Sequence, residues 1–164
     1  MAEPSAAFDA ARYRQVMGHF CTGVVIVAAT TDAGPVGWTA QSLTALSLDP
    51  PLISICPARN SSRWPRIAAA GAFCVNVLGE DQEQLCRAFA IGGDDLFEGI
   101  DWHHTSVTGS PRLDGSLGWV DCRIITEHDA GDHLIVVASV EDMGLGDEAG
   151  PLLFYRGGYG RFES

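Results

Sequence analysis

Short apolar runs rich in β-branched residues recur along this chain, each closed by Gly, Pro or Asp, and they do not alternate with helical segments. Val24 to Thr31 is the clearest, because branched side chains suit a buried strand. Asp32-Ala33-Gly34-Pro35 is turn chemistry, and Val36 to Ala40 returns as a second strand. Asp49-Pro50-Pro51 interrupts the chain before a strand at Leu52 to Cys56. Further strands are expected at Phe73 to Leu78, around Val107, at Trp119 to Thr126, at His133 to Asp142 and at Leu152 to Tyr155. Such a pattern excludes a βαβ fold. It predicts a mainly β chain, a closed or nearly closed antiparallel barrel with helices at its ends.

Three helices are expected. Tyr13, Val16, Met17 and Phe20 stand at i, i+3, i+4, i+7, so Ala6 to Phe20 reads as amphipathic. Ser61 or Ser62 can cap a short helix from Trp64 to Ala70, with Pro65 tolerated in its first turn and Gly71 at its end. Asp81-Gln82-Glu83-Gln84 resembles a capping box ahead of a helical face formed by Leu85, Ala88 and Phe89. Ile91 to Asp101 is a loop. At 164 residues the chain is expected to be one domain, with residues 1–10 loosely ordered.

Charge narrows the function. The chain carries 21 acidic and 10 basic residues, for a net charge of -11, and every basic residue is Arg. So acidic a surface predicts no nucleic-acid and no membrane partner, since both need basic patches. Without Lys, Schiff-base chemistry and a P-loop are excluded. The five Cys have no C-x-x-C spacing, which argues against a zinc site; they read as free thiols in a reducing cytoplasm. Met1 to Ala11 lacks the apolar stretch of a secretory signal, and Val24 to Ala29 is too short to span a bilayer. His103 and His104 are adjacent and cannot share one helical face, so no metal site is expected.

Four constellations could carry chemistry. Trp38-Thr39-Ala40-Gln41-Ser42 follows a strand and gathers hydroxyls, an amide and small residues; it reads either as a platform for a planar heterocycle or as an ordinary polar loop. Arg59, Arg63 and Arg66 surround Asn60-Ser61-Ser62 at a helix start, which suits a phosphate or a capped helix with solvated Arg. Asp132-His133 opens the longest apolar strand, and His133 either meets a ligand or is held structurally by Asp132. Tyr155 and Tyr159 flank Arg156 and the glycines Gly157, Gly158 and Gly160; the rings either stack on a ligand or fill the core, and the glycines read as a flexible turn. Together these offer a phosphate anchor, a heterocycle platform and an aromatic cluster, as a nucleotide-like cofactor requires.

Ordered segments carry a specific resemblance. They are Met17-Gly18-His19-Phe20-Cys21-Thr22-Gly23-Val24, Gly37-Trp38-Thr39-Ala40-Gln41-Ser42, Ser47-Leu48-Asp49-Pro50-Pro51-Leu52 and Phe73-Cys74-Val75-Asn76-Val77-Leu78. Asp81-Gln82 with Phe89-Ala90, Gly131-Asp132-His133 and Pro151-Leu152-Leu153-Phe154-Tyr155 follow in order. From about Arg12 to Tyr159 the chain resembles the short-chain flavin reductases, the NAD(P)H-dependent reductase components of two-component flavin monooxygenases.

The resemblance implies a split β-barrel of the FMN-binding, Greek-key type that works as a homodimer. It implies hydride transfer from NADH or NADPH to FMN or FAD, and delivery of reduced flavin to a flavin-dependent monooxygenase. It places the isoalloxazine against Trp38, Thr39, Ala40, Gln41 and Ser42. Ser47 and the run Cys56, Pro57, Ala58, Arg59, Ser61 and Ser62 correspond to the ribityl and phosphate side. Asn76, Phe89 and Ala90 correspond to positions near the flavin, His133 to the histidine near the nicotinamide, and Tyr155, Gly157 and Tyr159 to a cofactor-facing C-terminal segment. Two positions depart from the family pattern: Gln41 stands where Asn is frequent, and Leu96 where Lys is frequent. Alternatives on the same barrel are a flavin-bound oxidase, a reductase of an iron or cobalt acceptor, and a non-catalytic flavin-binding module.

Overall fold

The computed structural model describes residues 8–93 and 95–163. Its elements are helix α1 (Ala10–Met17), strands β1 (Thr22–Gly23), β2 (Val25–Thr31), β3 (Gly34–Ala40), β4 (Thr44–Leu48) and β5 (Pro51–Ile55), helix α2 (Trp64–Ala70), strand β6 (Ala72–Val77), helix α3 (Glu83–Ile91), and strands β7 (Trp102–His104), β8 (Pro111–Leu113), β9 (Gly118–Ala130), β10 (His133–Leu145), β11 (Leu152–Tyr155) and β12 (Gly158–Arg161). The fold is mainly β and antiparallel. Seven strands form one sheet in the order β3-β2-β6-β9-β10-β5-β4, with β3 and β4 at its two edges. A small sheet β1-β11-β12 and a hairpin β7-β8 complete it.

The run of apolar residues at Val24 to Ala29 has a physical reason. Side chains alternate across a strand, and β2 is covered on both sides. Val25, Val27 and Ala29 enter one core with Ile53, Ile55, Trp64, Ile67, Phe73, Val136 and Ala138 from the seven-stranded sheet and α2. Val24, Ile26 and Ala28 enter a second core with Leu78, Cys86, Phe89, Leu113 and Leu152, under α3 and the two small sheets. The long strands β9 and β10 turn back at Gly131, whose φ of 71° suits glycine. Register shifts between Val137 and Ala138 and between Val140 and Asp142 mark irregularities of the kind that bend a ladder.

Several expectations change. Val107 lies in the loop between β7 and β8, not in a strand. The short strands β1, β4, β7, β8 and β12 have no counterpart among the expected strands. α1 is shorter than Ala6 to Phe20 and starts where Asp9 accepts from the N–H groups of Ala11 and Arg12; residues 1–7 lie outside the described residues. Its apolar side chains Tyr13, Val16 and Met17 stay exposed. α2 matches its expected bounds, and Gly71 ends it in the left-handed conformation at φ 72°. α3 has no capping box: Gln82 instead accepts from Gly79 N–H and donates to the Asp114 carbonyl. Among the described residues no helix is long and apolar enough to cross a membrane.

Candidate functional site

Three segments that the sequence singled out meet at the start of β10. Ala58 bridges His133, Arg59 N–H donates to the Asp132 carbonyl at 2.9 Å, and Leu134 N–H donates to the Pro57 carbonyl at 2.9 Å. Arg59 also reaches the Gly131 carbonyl and pairs with Asp129. Upstream, Ser42 Oγ accepts from Cys56 N–H at 2.9 Å, fixing the end of the Trp38 to Ser42 stretch to the run that begins at Cys56. Ser47 lies opposite Leu52 in the neighbouring β4–β5 ladder. Gln41 is exposed and accepts from Thr22 Oγ1 at 3.3 Å; Thr22 is paired with Phe154 in β11. Gln41, Ser42, Cys56 to Ser62 and His133 thus share one neighbourhood.

His133 Nδ1 stands 2.8 Å from Asp132 Oδ1. That hydrogen bond, with the His133 charge, holds the Asp132 carboxyl below its usual range. An ionised carboxylate can only accept, so Nδ1 carries the proton. Among the described residues no hydrogen bond engages Nε2. The backbone of β3 is partly open in a similar sense. As an edge strand it pairs with β2 on one side, and among the described residues no strand pairs with the other side of Trp38 to Ala40. This edge is partly covered, since Thr39 Oγ1 donates to the Cys86 carbonyl in α3 and Ala40 is buried.

The phosphate expectation is modified. Ser61 Oγ accepts from Arg63 N–H at 3.3 Å and Trp64 N–H at 3.2 Å, so the amides at the start of α2 already have a partner. Arg63 is half-buried, and its Nη1 donates to the Phe89 carbonyl at 2.5 Å and the Gly37 carbonyl at 3.3 Å. It clamps the entry to α2 against β3 and the end of α3. Burial pulls its pKa down. Beyond this clamp lies a cavity of about 850 Å³ whose wall includes Ser62, Arg63 and Arg66.

Other residues are drawn away from any ligand. Asn76 is fully buried: Oδ1 accepts from Leu113 N–H at 2.8 Å, while Nδ2 donates to the Pro111 and Ile26 carbonyls. It ties β8 to the main sheet and has no surface to offer a flavin. Phe89 is fully buried against Phe97, and Trp38, half-buried, packs edge-on to Trp64 at the margin of the core. Thr39 Oγ1 is taken by the Cys86 carbonyl at 2.6 Å. Tyr159 lies against Phe154, meets Cys86 Sγ at 3.3 Å and carries Arg87 over its ring, so it fastens β12 to α3. Burial raises its hydroxyl to about 12. Ala40 is buried, whereas Ala90 is exposed. Tyr155 is exposed beside His19, and Gly157 (φ 81°) follows Arg156 (φ 51°) in a tight hairpin turn. Arg63 as a clamp and Gly92 packed beside it were not legible; nothing in their spacing signals it.

Three of the five cysteines are shielded from solvent. Cys74, Cys86 and Cys122 are buried. Burial, followed by the Asp121 charge, pushes the Cys122 thiol to about 12 and Cys74 further up. Among the described residues no three His, Cys, Asp or Glu side chains gather as metal ligands.

Comparison with known proteins gives one answer. A family model described as a flavin reductase like domain matches residues 17–163. The reductase subunit HsaB of a flavin-dependent monooxygenase from Rhodococcus jostii is 46% identical over 153 residues, covering 93% of this chain and 78% of the relative. The structure of a nitrilotriacetate monooxygenase component B homolog from Mycobacterium thermoresistibile superposes with a TM-score of 0.91 at 44% identity, over 97% of this chain and 89% of that one. The NADH:FAD oxidoreductase SgcE6 of Streptomyces globisporus, in complex with NAD and FAD fragments, gives a TM-score of 0.90 at 33% identity, over 99% and 98% of the two chains.

Proposed function

Because this chain belongs to the flavin reductase like domain family, we propose that it is an NAD(P)H:flavin oxidoreductase acting as a single domain. It brings NADH or NADPH together with FMN or FAD, and passes the reduced flavin to a partner flavin-dependent monooxygenase, a reading supported by its likeness to HsaB, named the reductase subunit of a flavin-dependent monooxygenase. The carrying observation is the bridge between Ala58 and His133, which sets the Cys56 to Ser62 run, the Ser42 link and an imidazole side by side.

Nicotinamide and flavin, once bound, supply the hydride chemistry. The residues of this chain bind and orient. The unpaired side of β3 and the Ser42 hydroxyl offer hydrogen bonds to a flavin ring. Arg59 and Ser62, both exposed, line the approach for phosphate. Asp132 fixes the His133 tautomer so that Nε2 can accept from a nicotinamide amide or a ribose hydroxyl. No proton transfer is required of His133.

The test mixes the protein with NADH or NADPH and FMN or FAD and follows nicotinamide absorbance. Oxidation with at least one pair is expected; no turnover with any of the four refutes the reading. The working form is a homodimer. Leu46 and Leu48 on β4, Ile125 on β9, and Ile135, Met143 and Leu145 on β10 are exposed, Leu48 at 97% and Leu145 at 95%, which is unusual for a lone subunit. A monomer at all concentrations in sedimentation overturns that part. The cytoplasm is its compartment, since five unpaired thiols suit a reducing environment.

A further inference from the structure

The hairpin that carries Asp132 and His133 has little of its own to hold it still. Gly131 and Asp132 form a two-residue turn between β9 and β10, where Ala130 is paired with His133. The Asp132 side chain is 95% exposed and that of His133 46%, so burial fixes neither. Orientation there depends on hydrogen bonds, and Arg59, from another segment, supplies three contacts. Its N–H donates to the Asp132 carbonyl and its Nε to the Gly131 carbonyl, both at 2.9 Å, while its Nη2 pairs with Asp129 at the end of β9.

The pattern needs a guanidinium. Its planar fork donates from Nε and Nη2 at once in fixed directions, whereas an ammonium has a single nitrogen and no such plane. One arm of the fork holds the turn and the other holds the strand that leads into it. Nη1 is the guanidinium nitrogen without such a contact among the described residues, so it is left for a phosphate. Asp129 sharpens the point. A carboxylate beside Arg59 does nothing for phosphate binding, so its pairing serves the turn.

We propose that Arg59 is a positioning residue for His133: by bracing the β9–β10 turn it keeps Asp132 where it fixes the Nδ1–H tautomer, and so presents Nε2 to the nicotinamide. The assignment rests on the flavin reductase reading, which places His133 beside that ring.

Arg59→Ala and Asp129→Ala test it. Arg59→Ala keeps the backbone bond to Asp132 and the bridge from Ala58 to His133, so the hairpin stays docked. At saturating flavin, kcat/KM for the nicotinamide nucleotide should fall about fivefold in Arg59→Ala, the upper end for an exposed ion pair. It should fall about threefold in Asp129→Ala, and the double variant should be no worse than Arg59→Ala, because both act through one brace. Removing a carboxylate does not weaken a phosphate contact, so the Asp129→Ala loss separates positioning from phosphate binding. An unchanged kcat/KM for the nicotinamide nucleotide in either single variant overturns the proposal, whatever happens to the flavin KM. If no flavin is reduced at all, the functional reading falls separately, and the imidazole decides the brace alone. In nitrogen-15 spectra at pH 8, wild-type His133 should show the Nδ1–H tautomer, and both variants should move it toward a mixture. A wild type already mixed, or a spectrum that either variant leaves unchanged, overturns the proposal.

Discussion

Replacing Asn76 by Ala separates a structural role from a ligand-binding one. The side chain has no exposure and holds Leu113 N–H at 2.8 Å, the Pro111 carbonyl at 3.1 Å and the Ile26 carbonyl at 3.3 Å. Truncation leaves Leu113 N–H and the Pro111 carbonyl without this partner in a place water does not reach. Each buried group so orphaned costs about 1–3 kcal/mol. The Ile26 carbonyl adds less, because it belongs to a strand paired on both sides. The expected loss is therefore about 3–6 kcal/mol, including a small void. With a urea m-value of about 2–3 kcal/mol/M for a chain of this size, the midpoint falls by about 1–3 M. Urea unfolding at fixed protein concentration measures it, with KM for flavin measured in parallel under native conditions. A midpoint shift below about 0.3 M with a raised flavin KM refutes the structural reading and returns Asn76 to the site.

Gly92→Ala places a Cβ 1.4 Å from Arg63 Nη2 at a φ of +91°, so the clamp must move. A loss of about 1–3 kcal/mol, or several degrees in Tm, is expected, and an unchanged melting temperature contradicts it. In native protein at pH 8, Cys74 and Cys122 stay unreactive toward a thiol reagent while Cys21 reacts; Cys122 reacting as fast as Cys21 refutes the burial argument. The raised thiols also set a sign: their contribution to stability is whole below the unfolded thiol pKa of about 8.5 and is lost as pH climbs toward the folded value, about 12 for Cys122. Asp132→Asn frees the His133 tautomer, so kcat/KM for NADH falls about tenfold; an unchanged value shows that the pair is only structural. In the wild type the depressed Asp132 carboxyl keeps the pair intact above its unfolded pKa of about 3.9, and acid disrupts it as pH falls through the lowered folded value.

Local chemistry explains which parts were legible. α2 and β11 matched to the residue because Pro65, Gly71 and the turn residues near β11 act on their own neighbours. β4 was missed because Thr44 to Leu48 has no buried residue and so no sequence pattern of a core strand. β7 and β8 span three residues each and depend on Asn76, which is remote in sequence. At the site, the joining of Cys56 to Ser62 with His133 follows from the β5–β10 ladder, which no local signal reveals. Ser61 and Ser62 admit both a capping and a phosphate-binding reading, and Ser61 serves Arg63 and Trp64 N–H. Competition between capping and binding is decided by geometry, not by residue type.

The double burial of β2 has a consequence for how the molecule comes apart. Each of its residues from Val25 to Ala29, with Val24 just before it, belongs to one of the two cores in turn, so neither core can open while the other keeps this strand. The α3 flank, which carries the far end of the Arg63 clamp, therefore cannot melt as an independent unit. The amides of Ile26 to Ala28 should exchange with solvent only through global unfolding, and the rims of the candidate site and of the cavity should breathe at much lower free energy around that slow-exchanging spine.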